Sequence, residues 1–452
     1  MATTVIGSTL AALIAVTRIS ESNDVTWVQT NSRIGGHFSG VSVDESVRDA
    51  GMVLLEPYED FDGKIPELTA LKKVSRHEVR ELVPFALDWL KSYGIELIQA
   101  KVLTSFRDKL IEDFYIKDSL ALVRELSPKI REQIAREITF LKTNESSTLH
   151  PREKLNNPEF AKKTFEEMVL LNIGPTYLRE VINPWANSFA KDRATGVAAI
   201  EHRSVWLPLY FPESIMLAVE GQIDEFENNE KRFAVPSGVS VARAIQNLTK
   251  RATSNPKVNL VLAKDYDYKK DKHQIIFLGT LTDSLNMNLS TQVFLDTKKL
   301  QTDIAIALFD GEVTTNFNLK DCTINVHGSP NSLYRFSVRE IRRPRNQVQF
   351  AFEFGNSASL DDSEIERICN EVISPHYQGS IGLKKIIRTK LEIIDGDTLT
   401  EKQKYVSAQD SILENLGIMG CTVGPFNSAF NDQICQGLIC AETSRRGMTN
   451  AK

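Results

Sequence analysis

The densest cluster of side chains capable of chemistry lies between residues 335 and 345, where Arg335, Arg339, Arg342, Arg343 and Arg345 fall in one short stretch. Guanidinium forks match phosphate oxygens, and a basic β-hairpin can hold a nucleic-acid backbone or enter a groove. Arg335 and Arg339 alternate with Tyr334, Phe336 and Val338, so they share the opposite face of a strand. Arg342, Arg343 and Arg345 crown the turn that follows. Two bland readings compete: a solvated strand face with a charged loop tip, or arginines that pair with acids of a neighbouring subunit. The formal net charge of −5 weighs towards these and against a chain-wide polyanion-binding design.

The remaining candidates are weaker. Asp265 and Asp267, and again Asp395 and Asp397, place two carboxylates close together, as hard cations prefer. Lys269 stands where a third acidic ligand would fall, and no glutamate closes either loop, so turn chemistry explains both pairs. Cys435 and Cys440, with Cys421 upstream, have no histidine in their stretch, and small buried thiols are the better reading. The seven histidines are scattered, with no metalloenzyme spacing, and no Gly-x-Ser-x-Gly elbow is present. Gly35-Gly36 and the stretch from Gly417 to Gly424 lack the Gly-Lys-Ser/Thr ending of a phosphate loop. On this reading the chain carries no catalytic, metal or cofactor residues.

The elements that must position these residues read most clearly from Lys257 to Phe354. Tyr334–Ile341 and Gln347–Phe354 alternate strictly and predict an antiparallel hairpin with one buried and one wet face. A second hairpin is expected around Asp310-Gly311, with Ile304, Ile306 and Leu308 on one strand and Val313, Phe317 and Leu319 on the return. Val258–Ala263, Gln274–Leu281, Gln292–Leu295 and Cys322–Val326 add strands. Before this block the chain reads as helical. Ser75 to Glu78 is a capping box, Pro84 interrupts its helix, and Ser127-Pro128, Asn157-Pro158 and Asn183-Pro184 open further helices. Trp206–Pro212 is an apolar stretch broken by prolines, and Gln222–Phe233 is charged. Ser240–Arg251 is a helix, as is Asp361–Ile373 with Ile365, Ile368, Cys369 and Val372 inward. The last stretch, Gly417–Lys452, is rich in small residues and is expected to fray alone.

At 452 residues the chain suggests two to three domains. The expected fold class is α+β, with a mixed segment 1–65 holding an apolar helix, a helical domain 66–252, an antiparallel β-meander or sandwich 253–356, and a helical region with a small-residue tail 357–452. Five cysteines form no disulfide framework and imply a reducing, intracellular setting. The apolar run Thr4–Val16 has no basic residue before it and is too short to span a bilayer, so no membrane span is expected. As a helix it must be buried on all sides.

An apolar beginning and a small-residue end both need cover, and no catalytic constellation is visible. Together these predict a non-enzymatic structural subunit of a large assembly, most typically a viral or phage particle, whose partners are other protein subunits. The alternative is a nucleic-acid-binding protein using the basic hairpin 335–345.

Overall fold

The computed structural model describes residues 2–51, 53–55, 88, 90–107, 109–112, 121–144, 160, 163–190, 196–199, 212–221, 233–289, 300–312, 319–329, 331–341, 347–377, 379, 381–393, 396–423 and 430–450. Outside them lie the expected capping box at Ser75, Pro84, the Asn157-Pro158 start, residues 206–211 and 222–232, the strand 292–295, Val313 and Phe317, and Arg342, Arg343 and Arg345.

In chain order, the elements that matter begin with β1 (Thr3–Ile6), α1 (Leu10–Ser20), β2 (Val25–Gln29), β3 (Leu97–Phe106) and β4 (Lys109–Glu112). There follow α2 (Pro128–Asn144), α3 (Asn183–Phe189), α4 (Val241–Ser254), β5 (Val258–Leu262) and β6 (Gln274–Phe277). The chain continues through β7 (Leu300–Glu312), β8 (Cys322–Val326), β9 (Leu333–Ile341), β10 (Gln347–Phe354), α5 (Asp362–Ile373) and β11 (Gly382–Ile393). It ends with a helix at Gly396–Asn415, β12 (Met419–Gly420) and α6 (Phe430–Asn450). The chain divides into two compact units, each gathered from separated stretches: unit 1 from 1–99, 232–295 and 402–452, unit 2 from 100–231 and 296–401.

Unit 1 is built on a five-stranded parallel sheet in the order β12-β6-β1-β2-β5. Helices α1, α4 and α6 bury one face, with Trp27, Ile14, Leu248, Ile434 and Leu438 among the core. Ile6, Val28, Phe277, Met287 and Leu413 fill the other. Parallel strands buried on both faces are the pattern of doubly wound α/β folds.

The apolar run at the N-terminus therefore resolves differently from its periodicity. It breaks at Gly7, whose φ of 140° and close approach to Leu278 leave no room for a side chain: a Cβ there would stand 2.5 Å from the Leu278 carbonyl oxygen. The part before Gly7 is a central strand and the part after it is α1, of which Ala11 to Val16 are fully buried. The described part of the small-residue end forms β12 and α6, and α6 packs directly on α1. Gly437 permits this, because a Cβ there would come within 2.4 Å of the Ala11 carbonyl oxygen. Arg18 is paired with Glu442, and the Thr3 and Ser444 hydroxyls share a hydrogen bond. The two ends expected to need cover share one core.

Unit 2 holds a mixed sheet in the order β11-β7-β10-β9-β8-β3-β4. The β9–β10 hairpin forms as its alternation predicts, with Val338 opposite Phe350 and Phe336 opposite Phe352. Phe336, Phe350, Phe352, Ile324 and Val338 pack with Ile365, Ile368 and Cys369 of α5, which Asp361 caps by accepting from the Glu364 amide. The Asp310-Gly311 hairpin does not form. β7 runs straight through these residues and pairs Asp310 with Gln349 and Gly311 with Val348. Gly311 lacks a positive φ and serves close packing, since a Cβ there would lie 2.7 Å from the Tyr377 hydroxyl. Val258–Leu262 and Gln274–Phe277 belong to the parallel sheet of unit 1, not to a meander. The fold is thus α/β with mixed sheets, and the central antiparallel sandwich is corrected. Among the described residues no helix is long and apolar enough to cross a membrane.

Candidate functional site

In a doubly wound sheet, ligands bind outside the carboxyl ends of the strands where the winding reverses. In unit 1 that place lies between β1 and β6, because the chain leaves β1 towards β2 while β6 occupies the other flank. The turn Gly7-Ser8-Thr9 enters α1 there. A dinucleotide diphosphate sits at such a helix N-terminus, facing its free amides, and the glycine pattern G-x-G-x-x-G lets the backbone approach it.

Here the pattern reads Gly7-Ser8-Thr9-Leu10-Ala11-Ala12, and only its first glycine is present. Thr9 takes the place of the second. Its hydroxyl donates to the Leu278 carbonyl at 2.6 Å and accepts from the Ala12 amide at 3.2 Å. The Leu10 amide donates to Gln433 Oε1 at 3.1 Å. Ser8 Oγ accepts from the Thr30 and Asn31 amides at 3.0 and 2.9 Å. Ser8, Thr9, Leu10 and Gln433 are all buried. After β2, where a ribose-binding carboxylate is expected roughly 20 residues beyond the first glycine, the chain has Gln29-Thr30-Asn31. The Thr30 hydroxyl is buried with no partner among the described residues. A neighbouring cavity of about 20 Å³, lined by apolar residues including Leu10, Ile14, Ile245, Phe430 and Ile434, has room for about one water and none of the polar partners a water needs. Cys421, Cys435 and Cys440 are buried thiols whose pKa values burial raises, Cys440 to about 12. A dinucleotide diphosphate does not fit these residues: the Leu10 and Ala12 amides are engaged, and Thr9 stands where its approach requires a glycine.

Unit 2 carries a second polar arrangement. The sheet face turned away from α5, expected to be wet, is buried. Along one register row Thr104 pairs with Asn325, Asn325 with Arg335, and Arg335 with Glu353. In the next row lie Thr323 and Ser337, 3.2 Å apart at their hydroxyl oxygens. All six side chains are buried, Thr104, Thr323 and Asn325 completely. Arg335 Nε donates to Glu353 Oε1 at 2.9 Å, and Tyr334 Oη donates to Glu353 Oε2 at 3.0 Å. Burial works to discharge the guanidinium, but Glu353 and Tyr334 outweigh it and the Arg335 pKa is raised. Burial, then the Glu353 charge, push the Tyr334 phenol well up. Its ring meets Trp185 and Phe189 of α3 edge-on. Arg339 donates to the carbonyls of Val338 and Cys322 at 3.1 and 3.4 Å. The Thr104 hydroxyl is fully buried and has no hydrogen-bond partner among the described residues.

Of the arginines singled out in the sequence, Arg335 and Arg339 thus point inward and bond within unit 2, while Arg342, Arg343 and Arg345 lie outside the described residues. The inward pair shares its face with Thr104, Asn325 and Glu353, none of which was singled out. Register could have found Asn325, two residues from Thr323 on a strand of even alternation. Thr104 gave no signal, because its strand pairs with β8 across more than two hundred residues.

No family model matches the chain, and neither does any curated protein. Solved structures do. Reduced UDP-galactopyranose mutase superposes with a TM-score of 0.60 at 12% identity, covering 99% of this chain and 94% of that one. A protein from Exiguobacterium sp. 255-15, described provisionally as a protoporphyrinogen oxidase, gives 0.55 at 11% identity over 100% and 99%. Likeness of this kind is one of fold, and it spans both units. It overturns the expectation of a non-enzymatic structural subunit, and with it the viral or phage particle, because the chain takes up over its full length the fold of proteins named as a mutase and an oxidase.

Proposed function

We propose that this chain is an enzyme acting on a small, hydroxyl-rich anionic molecule bound against the polar sheet face of unit 2. The observation that carries the reading is the row Thr104-Asn325-Arg335, buried and ending in a threonine hydroxyl that bonds nothing among the described residues. Burying a hydroxyl without a partner costs on the order of 1–3 kcal/mol, and functional sites are where such costs are retained. A cationic guanidinium held by Glu353, beside an amide and hydroxyls, suits a sugar nucleotide of the kind named for the mutase better than a mostly apolar tetrapyrrole.

The test is thermal unfolding with UDP-galactose and, separately, a porphyrin. We expect saturable stabilisation by the sugar nucleotide, about 2.7 kcal/mol at a hundredfold excess over Kd. Thr104→Val removes only the hydroxyl, so the free protein should keep or gain stability while its affinity falls roughly ten- to a hundredfold. No stabilisation of the native protein, or stabilisation indifferent to Thr104→Val, defeats the reading.

A further inference from the structure

We infer that the nucleotide end of unit 1 is closed by the chain's own side chains, Thr9 and Gln433, which take the helix amides that a bound diphosphate would take. The inference is independent of the site assigned to unit 2.

Three observations converge on one place. The first concerns donors. The amides of the first turn of a helix have no partner within it and are what an anion meets there. At α1 the Leu10 amide is used by Gln433 Oε1 and the Ala12 amide by Thr9 Oγ1. A carboxamide oxygen is a neutral substitute for one phosphate oxygen, and it reaches Leu10 from α6, more than four hundred residues along the chain.

The second concerns space. Thr9 stands at the position where a glycine lets the diphosphate approach, and its hydroxyl is braced on the Leu278 carbonyl, so the side chain is held in the path. Thr9 and Gln433 are both buried.

The third concerns the ribose end. No carboxylate stands at residues 29–31. The Ser8 hydroxyl takes the Thr30 and Asn31 amides and donates to the Asn31 carbonyl. This stitches the loop after β2 onto the turn that would otherwise frame the ligand. Ser8, Thr9 and Gln433 together convert a phosphate cradle into a set of internal caps.

The experiment has two readouts on the full chain. In the first, FAD, NAD and ADP are titrated against the purified protein by calorimetry, and no saturable binding tighter than about 1 mM is expected. In the second, amide hydrogen exchange is followed at Leu10, with Ile14 and Val16 as internal controls for the fold of α1. Leu10 should be protected in the native protein, and Gln433→Ala should speed its exchange by about tenfold or more while Ile14 and Val16 are unchanged. Micromolar binding of any of the three nucleotides overturns the inference. So does rapid Leu10 exchange in the native protein, or Leu10 protection that survives Gln433→Ala.

Discussion

At the scale of single residues, His327 connects burial to pH. Its Nε2 lies 3.0 Å from the Val181 carbonyl, so that nitrogen carries the proton and donates. The carbonyl belongs to a single wide turn of π-helix, Leu178–Ile182, a geometry that shifts backbone groups out of their usual register. Burial pulls His327 down to about 4, against the carbonyl bond that favours its charged form. An unfolded chain protonates the same side chain near its ordinary 6.5. Between those values the unfolded state binds the extra proton, so stability is full above pH 6.5 and is lost as the pH falls towards 4, by roughly 3 kcal/mol for this group. Urea titrations at pH 7 and pH 4.5 should show that loss, and His327→Gln should remove the His327 part of it.

The buried Arg335–Glu353 pair gives a second expectation at this scale. Removing one partner strands the other charge in the interior. Glu353→Ala should therefore cost about 3–5 kcal/mol, whereas Arg335→Met combined with Glu353→Leu should recover much of it. Equal losses in the single and double variants, read by urea unfolding, would show that the pair does not act as a unit. Neither residue's role was visible beforehand. Alternation placed Arg335 correctly on the face opposite Phe336, but alternation cannot say whether that face is wet. Nothing short of the register with Glu353 reveals the ion pair.

Among elements, the helices with local signals were legible, and Val258–Leu262 and Gln274–Phe277 were legible as strands, but their parallel pairing was not. Ser240, Asp361 and Ser127-Pro128 each announce a helix through chemistry confined to one turn, and β9 with β10 announces itself through five intervening residues. β1, β2, β5 and β6 are four or five residues long, too short for a period to tell a parallel strand from an antiparallel one. Their partners are remote: Thr3 pairs with Gln274, and Val25 with Val258. Glycines at positions 9 and 12 would mark the Gly7 turn as that of a βαβ unit, but Thr9 and Ala12 stand there.

The contact between α1 and α6 carries the prediction that belongs to this scale. Gly437→Ala places a methyl 2.4 Å from the Ala11 carbonyl oxygen and 2.7 Å from Ile14 Cβ, and neither atom can swing aside. The variant should lose about 1–3 kcal/mol or more. Gly382→Ala meets nothing within 4 Å and should be close to neutral. Matching denaturant midpoints for the two would contradict the packing described.

For the whole molecule, the division into units follows neither composition nor linkers. Unit 1 takes its strands from the beginning, middle and end of the chain, and unit 2 fills the intervals. The sequence boundaries near residues 66, 253 and 357 marked changes of texture, such as the onset of strict alternation, and texture changes within each unit as readily as between them. Each end is apolar or small and needs cover, which the sequence alone assigns to partners. Mutual burial satisfies the same physical need inside one chain, and the likeness of fold to a mutase over 99% of its length removes the expectation of a particle subunit.

The pairing of Leu10–Ser20 with Phe430–Asn450 also sets a schedule for biosynthesis. Leu10–Ser20 is apolar on nearly every side, and the helix that covers it is translated about four hundred residues later. At roughly 5–20 residues per second, Leu10–Ser20 waits on the order of twenty to eighty seconds. Throughout that interval its apolar surface lacks its final cover, and a nascent chain stalled anywhere before Phe430 should be more prone to aggregate than the full chain.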